Sequence, residues 1–329
     1  MSKNFLNIGV GIIGIKMIAT RKDGGSKTIE ITTTGSMNTY NIPAVIVFCE
    51  DRLTKDIITY SLHSAEGITH CSFKFIISGS WKNIITSLAG CLLYSDELED
   101  TGNTKVLSTV GVIDGDITDT EIDNVISECY MGDYLPDNLE NIKKRIKEYI
   151  TNFSLPDNII DRKNTTGKPE LNIKKMLEEI NEESIDSVLG ERKKELKSWL
   201  EKAKDNESKQ NIKNEIYFLD KEFEDTLEII KISKSISRET FKNKDKNGKY
   251  KLNYHCYFKM FARKLEGRYL VSYGAGTTPL LLLIYRLVNK FNKKRWDEYV
   301  GPVVEFLTQI SEGQRERFSH NTYNNDIID

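Results

Sequence analysis

The chain has 329 residues, of which 39% are hydrophobic and 29% are charged. This length supports one large domain or two ordinary ones, each with its own core. Because 47 lysines and arginines face 49 aspartates and glutamates, the formal net charge is −2, and the chain does not coat a nucleic acid or an anionic membrane by bulk charge. A partner of either kind must bind at a local site.

The cysteines and the most apolar segment indicate the cellular setting. The five cysteines are widely spaced and form no C-x-x-C pair, which argues against a disulfide framework or a zinc ribbon. Cys49 lies in an apolar run, where a thiol packs as a small hydrophobic group in a reducing cytosol. The apolar stretch that begins at Pro279 reaches Arg286 too soon to span a bilayer. We expect a cytoplasmic protein with no membrane partner.

The N-terminal part of the chain, from Leu6 to about Tyr40, is rich in β-branched side chains. Asp23-Gly24-Gly25 is a turn signal, and residues 28–34 alternate as a half-buried strand does. The pattern predicts an N-terminal β-hairpin.

Strand and helix patterns alternate after the hairpin. Apolar strand patterns occupy residues 44–49, 72–77 and 105–113, and helical patterns occupy residues 54–65 and 81–93 between them. This β-α-β-α-β order predicts an α/β fold with a mostly parallel sheet flanked by helices. Ligands of such sheets bind at the carboxyl ends of the strands.

The pattern becomes helical beyond residue 135. Residues 172–237 place apolar side chains at helical intervals among many lysines and glutamates, which predicts a helical hairpin. Further helices are expected over residues 252–312, followed by a frayed tail. We therefore divide the chain into an α/β domain with the hairpin, residues 1–135, and an all-helical region, residues 136–329, that docks a partner or substrate.

Carboxylates follow two of the predicted strands. Glu50 ends the first strand, and Asp114-x-Asp116 ends the third. Carboxylates that converge at strand ends supply the oxygen ligands that Mg²⁺ or Mn²⁺ prefers, and one or two such ions can promote phosphoryl transfer. Asp51 and Asp119 lie close enough in sequence to extend this ligand set. The alternative is that the two motifs are an ordinary turn and a solvated strand end.

Basic residues lie beside the same strand ends. Arg52, Lys55 and Lys82 could hold a phosphate or the flanking backbone of a nucleic acid. Lys259 lies in a stretch rich in tyrosine and phenylalanine, a combination that can bind a nucleic-acid strand. Ordinary surface lysines and core aromatic residues are the alternative interpretation.

Three segments together resemble a known domain. They are VIVFCED at residues 45–51, FIISGSWKN at residues 75–83 and VGVIDGD at residues 110–116. They resemble a TOPRIM domain and, more narrowly, the nuclease half of the overcoming-lysogenisation-defect family and related phage-defence effectors. The resemblance covers roughly residues 43–130.

The resemblance implies a TOPRIM-like fold and a metal-dependent nuclease that cleaves DNA or RNA, transfer RNA included. In the family, the residues that match Glu50, Asp114 and Asp116 bind Mg²⁺ or Mn²⁺ and drive phosphodiester cleavage. The ATPase domain that usually precedes this nuclease is not matched here, since no G-x-x-x-x-G-K-[ST] motif occurs. The resemblance thus implies an effector of an anti-phage system with a separate ATPase partner, and a homo-oligomer is also open.

One departure from the family pattern keeps a second function open. Many members read E-G-x-x-D at the first motif, whereas Thr54 stands here at the position of the aspartate. Asp51 could supply the missing ligand, so both one and two ions are compatible with the sequence. The alternative function is a non-catalytic TOPRIM-like subunit whose charged helices form an assembly surface.

Overall fold

The structure is a computed structural model of the full chain. It describes residues 15–21, 27–33, 44–64, 73–100, 108–115, 117–130, 138–153, 168–244, 250–266, 269 and 279–324.

Strands and helices alternate in the first half of the described chain, and helices predominate in the second. The strands are β1 (Ile15–Arg21), β2 (Lys27–Thr33), β3 (Val45–Cys49), β4 (Phe73–Ile77), β5 (Thr109–Ile113), β6 (Ile150–Asn152), β7 (Lys242–Lys244) and β8 (Tyr250–Leu252). The helices are α1 (Arg52–Ser64), α2 (Trp81–Asp100), α3 (Asp119–Cys129), α4 (Leu139–Lys147), α5 (Pro169–Glu179), α6 (Glu182–Lys202), α7 (Asn206–Lys234), α8 (Tyr254–Leu265), α9 (Pro279–Phe291) and α10 (Lys293–Asn324), with a 3-10 helix at Arg238–Phe241.

The first two strands form the predicted hairpin. They pair antiparallel, from Ile15 opposite Thr33 to Arg21 opposite Lys27. The predicted turn at Asp23-Gly24-Gly25 lies outside the described residues.

The central sheet has four parallel strands in the order β4-β3-β5-β6. The chain moves from β3 to β4 on one side and then crosses to β5 on the other side, so the strand order reverses beside β3. In open parallel sheets the crevice at such a reversal is the usual ligand site. The sheet confirms the predicted α/β class and the β-α-β-α-β order.

Alternation along the strands gives each face of the sheet its own core. Val45, Val47, Val110 and Val112 are buried in a core with α1, α5 and α8–α10. On the opposite face, Ile113 is buried in a core with α2, α3 and α4. Successive side chains of a strand point to opposite faces, so the sheet lies between two helical layers.

Gly111 lets α2 approach β5 closely. A Cβ atom at this position would lie 2.5 Å from Cγ2 of Ile84 and 3.0 Å from Cδ1 of Leu88. Since atoms do not pack at 2.5 Å, the helix rests on the bare backbone of the strand. This contact fixes the layer on that face of the sheet.

The expected all-helical C-terminal region contains strands, so that part of the prediction is wrong. Ile150–Asn152 forms β6, which pairs with β5 at the sheet edge, and Lys242–Lys244 pairs antiparallel with Tyr250–Leu252. Three-residue strands carry too little periodicity to stand out from a helical background. The predicted frayed tail also differs, because α10 continues to Asn324.

The charged segment forms the predicted helical hairpin of α6 and α7. Arg192 binds Glu215 at 2.8 Å, and Lys193 binds Asp220, so ion pairs link the two helices. Exposed pairs of this kind each contribute little to stability. In the described part of the chain, no helix is both long enough and apolar enough to cross a membrane.

Candidate metal centre

Glu50 and Asp114 follow neighbouring strands at the point where the strand order reverses. β3 and β5 are hydrogen-bonded partners, with Cys49 opposite Val112. Each carboxylate residue comes directly after the last residue of its strand, and adjacent strands lie about 5 Å apart. The structure therefore brings these two predicted residues to the same edge of the sheet.

The loop after β4 is bonded to the end of β3. The amides of Ser78 and Gly79 donate to the carbonyl oxygens of Cys49 and Glu50, each at 2.8 Å. Gly79 has a φ of +76°, in the left-handed region that glycine adopts without a steric penalty. These bonds hold the backbone of Glu50 in place.

Asp51 caps the helix that follows β3. Its Oδ1 atom accepts a hydrogen bond of 2.8 Å from the amide of Thr54, which satisfies one of the free amides at the start of α1. This bond engages one oxygen of a carboxylate that the sequence predicts as a metal ligand. Thr54 itself is fully buried, and its hydroxyl has no hydrogen-bond partner in the described part of the chain.

Glu170 adds a carboxylate to this edge. It lies in the first turn of α5, its side chain is mostly buried, and its Oε1 atom is 3.9 Å from Nε2 of His255. Burial and, next, the charge of Asp51 raise the pKa of Glu170 above its ordinary value, while His255 and Lys168 oppose the rise. Both causes disfavour the charged form of an acid, so Glu170 and Asp51 belong to one acidic environment.

Asn172 and Tyr299 are buried beside Asp114. Burial raises the pKa of Tyr299 well above its usual value, and the charges of Asp114, Glu170 and Asp51 raise it further. The Asn172 amide lies close enough to oppose part of that rise, although the two groups do not meet with the geometry of a hydrogen bond. Tyr299 therefore keeps its proton and remains a hydrogen-bond donor.

The predicted ligand set is described only in part. Asp116 lies outside the described residues, and Asp119 is exposed in the first turn of α3. Within the described residues, no three His, Cys, Asp or Glu side chains come together as metal ligands. The metal site built from Glu50, Asp114 and Asp116 therefore stays a prediction.

The polar atoms of Asn172 and Tyr299 suit an oxygen-liganded cation next to Asp114. Both side chains are fully buried, and neither the amide atoms nor the hydroxyl has a hydrogen-bond partner among the described residues. Buried polar groups of folded proteins are almost always satisfied by protein, water or an ion. Carboxylate and amide oxygens are the ligands of Mg²⁺ and Mn²⁺, so the residues present fit such an ion.

The predicted phosphate-binding residues are spread around this edge. Arg52 is half exposed and lies 3.8 Å from Asp56 in α1, and Lys55 lies in the same helix, where its charge acts on the Cys49 thiol. Lys82 is exposed at the start of α2, with its Nζ 5.6 Å from the centre of the Trp81 ring. Helices α1 and α2 begin at the strand ends, so three of the four basic residues lie there.

Lys259 is exposed on α8, four residues after His255. Residues four apart lie on the same face of a helix, and His255 is the residue that approaches Glu170. The structure thus places Lys259 one turn away from the acidic environment rather than within it. The neighbouring Tyr257, Phe258 and Phe261 are fully buried, so their aromatic stripe belongs to the core.

Cys49 packs in the core as predicted. The thiol is buried and its Sγ lies 3.6 Å from the carbonyl oxygen of Ile76. Burial, reinforced by the charge of Asp51, raises the pKa of Cys49 to about 12. A protonated, buried thiol is not a nucleophile.

Sequence reasoning missed Glu170, Asn172 and Tyr299. Pro169 is a helix-start signal that marks the beginning of α5, but no sequence signal indicates that this start lies at the sheet. Tyr299 is one apolar position among many in α10. Only packing assigns these three residues to the site.

Fold and site define an α/β protein with acidic residues at the switch point of a four-stranded parallel sheet. The chain matches no family model, no curated protein and no solved structure.

Proposed function

We propose that this protein is a divalent-metal-dependent nuclease that hydrolyses phosphodiester bonds of DNA or RNA. The observation that carries the proposal is the position of Glu50 and Asp114, which follow two hydrogen-bonded parallel strands where the strand order reverses. The resemblance of the surrounding segments to TOPRIM nucleases supports it independently. Asp116, two residues after Asp114, completes the proposed catalytic set.

In this proposal Glu50, Asp114 and Asp116 hold Mg²⁺ or Mn²⁺. When bound, the cation stabilises charge on the attacking and leaving oxygens of the phosphodiester. Arg52, Lys55 and Lys82 bind the phosphates that flank the scissile bond, since cations near a nucleic-acid backbone supply most of its affinity. The resemblance adds a separate ATPase as the partner that controls the nuclease.

The test is cleavage of supercoiled plasmid and of total RNA in the presence of Mn²⁺ or Mg²⁺, with and without any ATPase that co-purifies. Wild type is compared with Glu50→Gln and Asp114→Asn, which remove the charge and keep the shape. Asp297→Asn is the matched control, because Asp297 is an exposed carboxylate of α10 paired with Lys293 at 3.0 Å. Melting temperatures with and without Mn²⁺ are measured for all four proteins.

We expect wild type and Asp297→Asn to cut one of the two substrates, and both site variants to lose cleavage. The substrate that is cut then assigns the enzyme to DNA or RNA. Cleavage that survives in both site variants contradicts this site. If neither nucleic acid is cut and Mn²⁺ does not raise the melting temperature of wild type, the chain is a non-catalytic assembly subunit.

A further inference from the structure

Two fully buried polar side chains lie side by side without hydrogen-bond partners. Asn172 and Tyr299 are each 0% exposed, and the amide oxygen, the amide nitrogen and the hydroxyl make no hydrogen bond to the described residues. Leaving such a group unsatisfied costs about 1–3 kcal/mol. Two adjacent side chains in this state point to a ligand that satisfies both.

The sheet register places Tyr299 next to Asp114. Ile113 pairs with Asn152, so the following residues, Asp114 and Phe153, are neighbours across β5 and β6. The Phe153 ring stacks on the Tyr299 ring, with centroids 5.1 Å apart. The alternation of β5 also puts Asp114 on the face of Val112, which is the face that α10 covers.

The charge of the surroundings selects the ligand. Asp114, Glu170 and Asp51 all act on the Tyr299 hydroxyl as negative charges, and a phosphate oxygen placed there would be repelled by each of them. A cation would be attracted by all three. An amide oxygen and carboxylates are oxygen donors of the kind that Mg²⁺ and Mn²⁺ take.

We infer that Asn172 and Tyr299 form the inner wall of a divalent-cation site beside Asp114. The amide oxygen of Asn172 is a ligand of the cation, and the Tyr299 hydroxyl is a positioning group that donates a hydrogen bond to an oxygen bound to the cation. This inference rests on the proposed function only for the identity of Asp114 as a ligand. It adds an amide and a hydroxyl, from two helices, to a site otherwise formed by strand ends.

The test measures the affinity of the full chain for Mn²⁺ alone, by electron paramagnetic resonance of free Mn²⁺ and by titration calorimetry. Asn172→Leu removes the amide at similar volume, and Tyr299→Phe removes the hydroxyl while keeping the ring that stacks on Phe153. The matched control is Asn292→Leu, because the Asn292 amide donates to the carbonyl of Met176 at 3.0 Å, between helices. Melting temperatures without metal are recorded for each variant.

We expect Asn172→Leu to weaken Mn²⁺ binding by about tenfold or more, as loss of a ligand or its support does. Its melting temperature without metal should be equal to or higher than that of wild type, because an apolar side chain replaces unsatisfied polar atoms. Tyr299→Phe should weaken binding by a smaller factor. Asn292→Leu should lower the melting temperature and leave Mn²⁺ binding unchanged.

A second variant covers the case in which Asn172→Leu does not fold. Asn172→Asp adds a carboxylate at the same place, so its melting temperature without metal should fall, and Mn²⁺ should raise it by more than it raises that of wild type. A group that only binds a buried water would not produce this larger metal-dependent rise.

The outcomes separate this inference from the proposed function. If Asp114→Asn abolishes Mn²⁺ binding while Asn172→Leu and Tyr299→Phe bind Mn²⁺ as wild type does, the inference is overturned and the proposed site stands. If wild type binds no Mn²⁺, both are overturned. If Mn²⁺ binding depends on Asn172 but no nucleic acid is cut, the cation site stands without the nuclease.

Discussion

Phe153 stacks on Tyr299 with ring centroids 5.1 Å apart and an angle of 28° between the ring planes. Phe153 follows the edge strand β6, whereas Tyr299 lies in α10, so the contact joins the two sides of the candidate site. Both rings are fully buried. The position of the Tyr299 hydroxyl beside Asp114 therefore depends on a strand of only three residues.

Replacing Phe153 should destabilise the fold and weaken the cation site together. Phe153→Ala leaves a cavity under Tyr299, and substitutions of this kind cost about 3–5 kcal/mol. Urea unfolding at equilibrium measures the loss. Phe218→Ala is the control, because Phe218 is 65% exposed on α7 and should change the free energy of unfolding by about 0.5 kcal/mol or less. Equal losses in both variants would contradict the packing described here.

A side chain at Gly111 should force α2 away from β5. In Gly111→Ala the new Cβ lies 2.5 Å from Cγ2 of Ile84, a branched methyl that cannot move far, and overpacking of this kind costs about 1–3 kcal/mol. Gly90→Ala in the same helix has no atom within 4 Å of the new Cβ and should stabilise the protein by about 0.5–1 kcal/mol. Thermal unfolding of both variants tests the opposite signs, and stabilisation by Gly111→Ala would rule out the close approach.

The Thr54 hydroxyl should be dispensable for stability. Since it is buried without a partner in the described part of the chain, Thr54→Val should leave the free energy of unfolding unchanged or raise it by up to about 1 kcal/mol. Thr54→Ser keeps the hydroxyl and loses the methyl group, so it should cost about 1 kcal/mol. Denaturant midpoints give the order of the three proteins. Should Thr54→Ser prove more stable than Thr54→Val, the hydroxyl has a polar partner.

The start of α3 should contribute stability that depends on pH. Thr118 and Glu121 form a capping box, and the backbone and side-chain hydrogen bonds from Thr118 lower the pKa of Glu121 from its ordinary value of 4.5. A lowered pKa in the folded state means that the contribution is present above about pH 4.5 and is lost as the pH falls through the folded-state value.

Glu121→Gln should therefore lower the stability at pH 7 by a few tenths of a kcal/mol, because the site is exposed and screened. The difference from wild type should shrink as unfolding is repeated at lower pH, towards about pH 3. Glu128→Gln, near the end of the same helix, should not reproduce the loss at pH 7, since a negative charge there is not favoured by the helix dipole. A difference for Glu121→Gln that is independent of pH would contradict the charge-dependent cap.

The sequence predicted the sheet because its strands carry strong local signals. The runs at β3, β4 and β5 are continuous and apolar, and helical patterns separate them, so the parallel order and the edge that carries Glu50 and Asp114 follow from general rules of topology. β6 escaped prediction because three residues form no period. Its pairing partner, β5, ends 36 residues before β6 starts, too far for local pattern to reveal.

The candidate site divides in the same way. Glu50 and Asp114 could be found because each directly follows an apolar strand, and a strand end is visible in the sequence. Asp51 was predicted to be a ligand, and the structure shows that one of its oxygens caps α1, a use that the first residue before a helix commonly has. Glu170, Asn172 and Tyr299 reach the site from helices that follow the sheet in the chain.

The sequence by itself determined the α/β class, the N-terminal hairpin, the helical hairpin of α6 and α7, and the strand ends that carry the acidic residues. These depend on periodicity and turn chemistry, which act over a few neighbouring residues. Only the tertiary structure decided that α5 and α10 cover the face of the sheet on which Asp114 lies, and that Asn172 and Tyr299 are buried there. That outcome depends on which apolar faces pack together across the whole chain, because burial is a property of the assembled core and not of any segment.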